Sequence, residues 1–296
     1  MTGIILLNKE QNMTSFSACN RVRRILGLKK AGHTGTLDPM ATGVLPVALS
    51  TSTRFIELLP THNKAYNATA RLGITTDTLD ITGKVLSSSP VNITIEELEK
   101  ACESFRGEIL QTPPMYSAIS KDGQRLYDLA RKGIEVEREQ RKITIYSLNI
   151  TDFDGESFKM SVECSAGTYI RALCDDIGNM LGCGATLTGL ERSKANGFEL
   201  SECHTLSEIE DAVQSGKIEN YIIPVEDCFK CYEEITVTQP QANRFSNGGE
   251  LSADRLKGNL SNGIYRVFSP EKKFLGLGEI SENSDALRVK KVFVNE

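Results

Sequence analysis

The chain opens on the apolar run GIILL followed by Asn8 and Lys9, and GIILLNK over residues 3–9 predicts a buried strand. A turn at Gln11 to Met13 follows, then helical spacing from about Ser15 to Leu26, with Thr14 or Ser15 as N-cap and Gly27 as the closing residue. Between Gly32 and Gly43, three glycines and Pro39 interrupt every period, predicting an irregular loop before GVLPVAL returns to strand. In KAYNATARL, residues 64–72, strict alternation places Tyr66, Ala68, Ala70 and Leu72 on one face of a strand. The polar stretch TTDTLDITG then reads as a turn-rich connection, and Thr94 with Glu97 forms a capping box that opens a helix through TIEELEKACESF.

Residues 106–142 break this rhythm. Pro113 and Pro114, a short basic helix ending at Gly133 and a charged return predict an excursion from the sheet. Strands at about 143–152 and 157–164 resume, and GTYIRALCDDIGNMLG forms a helix with Arg171 in its first turn. A second capping box, Thr205 with Glu208, starts a helix inside 201–236, and the last 60 or so residues read as a short helix among strands. The expected class is therefore α/β, in the α+β sense, with a mixed sheet and a small β-rich C-terminal unit.

A length of 296 residues favours two domains, divided here as 1–230 and 231–296. With 40% hydrophobic and 25% charged residues, the chain has the composition of a protein that buries a sizeable core. No run approaches the roughly 20 apolar residues of a membrane span, and the N-terminal stretch has no basic leader or small-residue cleavage site, so a cytoplasmic location is expected. Eight scattered cysteines then predict reduced, mostly buried thiols. Cys228 and Cys231 have CxxC spacing but no second pair beside them, and His33, His62 and His204 are isolated, so no metal site is expected.

Net charge is −5, from 34 basic and 39 acidic residues, which by itself disfavours a polyanionic partner. Its distribution reverses the inference. Residues 201–236 hold nine carboxylates against Lys217 and Lys230, leaving a basic remainder. Arg21, Arg23, Arg24, Lys29 and Lys30 precede the glycine-rich loop, and Lys121, Arg125, Arg131, Lys132, Arg138, Arg141 and Lys142 line the excursion. Local clusters of this kind meet phosphates, although charge runs alone more often describe solvated helical faces.

Asp38, between Leu37 and Pro39, is by itself more readily a turn or cap residue than a catalytic one. The surrounding segments change its standing. HTGTLDPMATGVLPV at 33–47, YNATARLGITTDTLDITG at 66–83, MYSAISKDGQRLYDLARKGIEV at 115–136, GTYIRALCDDIG at 167–178 and LGCGATLTGLERS at 181–193 together resemble, in order, the bacterial TruB family of tRNA pseudouridine-55 synthases. The resemblance runs from Gly3 to about Arg192; the C-terminal residues are more weakly similar to a PUA-type RNA-binding module.

The resemblance implies the mixed α/β pseudouridine-synthase fold and isomerisation of one uridine in the T arm of tRNA, at tRNA position 55, without cofactor or metal. It implies Asp38 as the catalytic carboxylate, Arg171 as its cationic partner and Tyr66 as the residue stacking on the flipped base and passing the C5 proton. His33 contacts the target or fills the space it leaves; Tyr169 and Leu190 line the pocket; Lys9 supports the loop. Residues 106–142 become a thumb-like insertion, with Arg125, Arg131 and Lys132 on the RNA backbone. The expected partner is tRNA, met by a monomer without guide RNA or membrane. An RNA-folding factor using the same surfaces without catalysis is the alternative. Whether Asp38 adds to the base, bonds C1′ or takes the 2′ proton stays open.

Overall fold

The computed structural model describes residues 1–121, 123–258, 260–282 and 284–294. The opening apolar run forms β1 (Gly3–Lys9), and Thr14 caps α1 (Ser15–Ile25) by accepting from the Ser17 N–H. β2 (Ala31–His33) and β3 (Thr42–Leu49) flank an irregular stretch limited to residues 34–41. The predicted loop of 32–43 is thus shorter, because Ala31 to His33 pair with Val47 to Leu49 and Gly43 pairs with Lys9.

A 3-10 helix over Ser50–Leu58 leads to β4 (Lys64–Leu72), where Tyr66, Ala68, Ala70 and Leu72 are buried as the alternation predicts. The small ribbon β5 (Ile74–Thr76) and β6 (Val85–Ser88) replaces part of the expected turn-rich connection. Helix α2 (Ile95–Glu103) begins at its predicted capping box. β7 (Gly107–Gln111) pairs with the first residues of β10 (Arg141–Phe153), which it reaches through β8 (Ser120–Lys121), β9 (Gln124–Arg125) and α3 (Leu126–Arg131). The excursion therefore covers residues 112–140; residues 107–111, 141 and 142 are sheet, held by a partner that lies thirty residues away and is invisible to local pattern.

β11 (Ser157–Cys164), α4 (Ile170–Met180), β12 (Ala185–Ala195), β13 (Phe198–Glu199), α5 (Leu206–Gln214) and β14 (Ile222–Ile223) complete the larger sheet, in the order β14-β1-β3-β12-β4-β11-β10-β7. Its neighbours are antiparallel except β3 and β12, which run parallel over only two residue pairs. The fold is thus the mixed α/β type. At that short parallel contact the two halves of the sheet diverge, and the 34–41 loop lies there.

α1 and α5 cover one half of the sheet with Ala18, Val22, Leu206 and Ile209, while α2 and α4 cover the other with Leu98, Leu173 and Ile177. The β-rich C-terminal part comprises β15 (Glu233–Thr236), α6 (Gln239–Ser246), β16 (Leu251–Ser252), β17 (Gly263–Phe268), β18 (Phe274–Ile280) and β19 (Ala286–Val292). Its five strands form a second sheet, β15-β17-β18-β19-β16. A shared apolar core joins the sheets: Phe55 lies 6.0 Å from the Phe229 ring and 6.1 Å from Phe274, beside Ile4, Leu6 and Ala48. Among the described residues no helix is long and apolar enough to cross a membrane.

Candidate active site

A loop that must present a carboxylate needs its backbone fixed on either side of that residue. Here Leu37 exchanges both backbone hydrogen bonds with the Ser15 hydroxyl, its N–H donating at 2.8 Å and its carbonyl accepting at 3.1 Å. The Pro39 carbonyl accepts from the Asn12 N–H at 2.8 Å and from Lys9 Nζ at 3.4 Å. Lys9 is fully buried and also donates to the carbonyls of Glu10 and Met13, both at 2.8 Å. Its burial pushes the ammonium down to about 8, against the pull of Asp38's charge. Asp38 thus sits between two pinned neighbours.

Arg192 closes the other side of the loop. Its guanidinium, wholly buried, donates to the Val44 carbonyl at 2.8 Å and the Gly35 carbonyl at 3.0 Å, bridging the gap where β3 and β12 part. Gly43 makes that approach possible: at φ +102° a Cβ there would meet the Arg192 carbonyl oxygen at 2.3 Å. Thr34 completes the frame, its hydroxyl donating to Asn196 at 2.6 Å.

Arg171, in the first turn of α4, reaches Asp38 from beneath. Nε lies 2.8 Å from Oδ2 and Nη2 donates to Oδ1 at 3.3 Å, a two-point grip that a lysine cannot reproduce. The rest of the guanidinium is occupied: Nη1 donates to the Thr78 carbonyl at 2.8 Å and lies 3.7 Å from Asp80, while Nη2 donates to the Tyr116 carbonyl at 2.7 Å. Asp80 is itself held by Thr78 and Thr82. Only 5% of the Arg171 side chain is exposed, against 35% for Asp38, so the cation is locked inside and the carboxylate faces out.

Tyr66 on β4 pairs with Arg192 on β12, and the neighbouring pair, Ala68 with Leu190, puts Leu190 on the same face. Burial pushes the Tyr66 phenol up to about 12, opposed by the Arg192 charge and reinforced by that of Asp38. Leu190 is half-buried against the larger core. Tyr169 is the N-cap residue of α4; the Gln111 side chain brackets its peptide, accepting from its N–H at 2.8 Å and donating to its carbonyl at 3.1 Å. Burial also raises the Tyr169 phenol. His33 ends β2 at the root of the loop, half-buried, and burial followed by the Arg192 charge lowers its pKa, so the ring is neutral at pH 7.

The predicted catalytic pair, Asp38 and Arg171, is therefore in direct contact, with Tyr66 and Tyr169 near enough to feel the Asp38 charge. Arg125, Arg131 and Lys132 lie apart, exposed on the excursion; Arg125 donates to the Ala118 carbonyl and Arg131 stands 5.5 Å over the Tyr127 ring. The excursion is nevertheless tied to the site at its root, through Gln111 and Tyr116. Sequence reading passed over Asp80 and Arg192 as site residues. Both fall inside resembling segments, but an acid in a threonine-rich turn and an arginine at a strand end look like surface groups until distant partners bury them. Among the described residues no three His, Cys, Asp or Glu side chains gather as a metal site would require.

An outward carboxylate gripped by a buried guanidinium, beside a protonated phenol and an apolar wall, suits attack on, or proton removal from, an uncharged ring inserted from solvent.

Comparison with known proteins bears on that chemistry. Residues 23–170 match the family described as TruB family pseudouridylate synthase (N terminal domain). Residues 171–230 match a tRNA pseudouridylate synthase B C-terminal domain, and 234–293 match Pseudouridine synthase II TruB, C-terminal. The chain is 43% identical to tRNA pseudouridine synthase B of Clostridium novyi (strain NT), over 99% of this chain and 100% of that one. It is 44% identical to the protein of the same name from Clostridium tetani, with the same coverage. Among solved structures, a Cbf5-Nop10-Gar1 complex contains a chain that superimposes with a TM-score of 0.75 at 26% identity, over 99% of this chain and 85% of that one.

Proposed function

This chain belongs to the TruB family of pseudouridylate synthases and makes pseudouridine in tRNA, and we propose on that premise that its target is the uridine at tRNA position 55, in the T arm. The observation that carries the catalytic assignment is the two-point contact between Asp38 and buried Arg171. A cation held in low dielectric fixes the carboxylate's place and direction and offsets its charge while substrate displaces water from its open side.

The isomerisation breaks the N1 to C1′ bond, turns the uracil and joins C5 to C1′; the proton leaves C5 and N1 gains one, with no net redox change. Asp38 supplies the carboxylate that this rearrangement needs, as nucleophile or base. Tyr66, protonated up to about pH 12, acts as a ring beneath the base and as a hydrogen-bond donor; to relay the C5 proton it must surrender its own in the same step. Leu190 and Tyr169 shape the pocket in which the loose base turns.

Extracting the base costs a few kcal/mol of stacking, which the neutral His33 ring offsets by occupying the vacated space. Arg125, Arg131 and Lys132 hold the RNA backbone without reading sequence. Residues 1–230 form the catalytic domain and 231–296 a PUA-like RNA-binding domain. The enzyme acts as a monomer, in the cytoplasm, without guide RNA.

Incubating the protein with an unmodified tRNA transcript and mapping pseudouridine tests the assignment. Modification at position 55 by wild type, and none by Asp38→Asn at equal tRNA occupancy, is expected. Full activity in the variant removes Asp38 from the chemistry; a requirement for added guide RNA or modification elsewhere overturns the target.

A further inference from the structure

A concave site lies at the far end of β2 and β3 from Asp38. It is a cavity of about 350 Å³ whose lining includes Lys29, Lys30, Ser50, Thr51 and Arg54, and none of Asp38, Tyr66 or Arg171. β3 connects the two sites, running from Thr42 beside the catalytic loop to Leu49 beside Ser50. At the rise of an extended strand that separation is about 20 Å.

Three features distinguish this cavity from a solvated basic face. Lys29, Lys30 and Arg54 are exposed, and among the described residues none has a carboxylate within ion-pair distance, whereas Arg21 nearby is paired with Glu210. No acidic residue lines the cavity. The Thr51 hydroxyl, on a residue only 6% exposed, is buried without a hydrogen-bond partner. A buried hydroxyl left unsatisfied is costly, and Thr51 lines the same cavity as the three cations, so that an oxyanion drawn in by them can accept from the hydroxyl once its side chain turns toward the cavity. The backbone is fixed to present it: the Ser50 N–H donates to the Lys30 carbonyl at 3.0 Å, and the Arg23 guanidinium to the Leu28 carbonyl at 3.1 Å.

We infer that this cavity is a phosphate-binding site, and that a backbone phosphate of the substrate RNA, remote from the modified nucleotide, occupies it. The assignment rests on the reading of this protein as one that acts on tRNA. It gives the basic stretch before the catalytic loop a role: a second electrostatic contact that sets the angle of the RNA while the pocket at Asp38 handles one base. Such contacts carry no sequence information and make binding steeply salt-dependent.

The test is the salt dependence of full-length tRNA binding by wild type and by the Lys29→Gln, Lys30→Gln, Arg54→Gln triple variant, with Thr51→Val as a second variant. Each lost phosphate contact flattens the plot of log affinity against log salt by about 0.7–0.9. The triple variant is expected to lose at least one such increment and about tenfold or more in affinity at low salt, with an unchanged rate at saturating tRNA. Thr51→Val should weaken binding several-fold at an unaltered slope. Thermal unfolding with inorganic phosphate addresses the other source of the same chemistry. If phosphate raises the Tm of wild type but not of the triple variant while both bind tRNA with one slope, the cavity holds a free anion and the RNA assignment is overturned. Equal slopes with no phosphate effect overturn the site altogether. Wild type that binds tRNA without modifying it would refute the proposed activity and leave the slope comparison intact.

Discussion

Arg171 Nε lies 2.8 Å from Asp38 Oδ2 while Nη1 of the same side chain lies 3.7 Å from Asp80, so one buried cation serves an outward carboxylate and an inward one. Arg171→Lys keeps the charge but cannot span Asp38, Asp80 and the Thr78 and Tyr116 carbonyls together. We expect its single-turnover rate to fall by about 10² or more, with tRNA affinity nearly unchanged. Arg171→Met removes the charge as well and strands Asp80 in the interior, which costs about 3–5 kcal/mol. Urea unfolding should separate the variants; equal stability would mean that Asp80 draws its support from Thr78 and Thr82 alone.

Tyr66→Phe deletes one oxygen from a buried face without altering its packing against β12. A positioned proton donor contributes about 10²–10⁴ in rate, so a fall of that order is expected at unchanged affinity. Because the phenol titrates only near 12, the wild-type rate should show no Tyr66 ionisation between pH 6 and 10. An inflection in that window that disappears in the phenylalanine variant would contradict the protonated role.

The elements beneath this site were legible to different degrees, for a physical reason. β4 shows its alternation locally, and the boxes at Thr94 with Glu97 and Thr205 with Glu208 form within four residues of chain. β7 has no such mark: its exposed, half-polar sequence becomes strand only because β10 returns beside it. The same distinction divides the site. Asp38 and Arg171 are 133 residues apart, so their meeting was implied by family resemblance rather than by local pattern. The burial of Arg192 and Asp80 depends on folding of the whole sheet, and neither residue type announces it.

Gly43→Ala tests the junction where β3 and β12 part. Its Cβ would need both a strained φ of +102° and the space of the Arg192 carbonyl, which is backbone and cannot swing aside. A loss of about 2–4 kcal/mol is expected from urea unfolding. Activity should also fall, since Arg192 sets the Gly35 end of the loop. A neutral substitution would show that the parallel contact is not needed to hold Asp38.

Asp176 offers a pH-dependent test on the helix that carries Arg171. Burial, then the charge of adjacent Asp175, pushes its carboxyl up to about 6. The folded state therefore holds this proton more tightly than the unfolded chain, whose carboxyl titrates near 4. The resulting stability is complete below about pH 4, declines as pH rises and is gone above about 6, where the half-buried carboxylate is ionised. Asp176→Asn keeps the shape and removes the ionisation. At pH 7.5 it should stabilise the protein by on the order of 1 kcal/mol, less than the full shift implies because the group remains partly solvated. The gain should shrink to nothing near pH 4, as followed by urea unfolding across that range. A gain independent of pH would trace instead to helix propensity or packing, and a loss at pH 7.5 would mean that the ionised form makes a contact worth more than its desolvation.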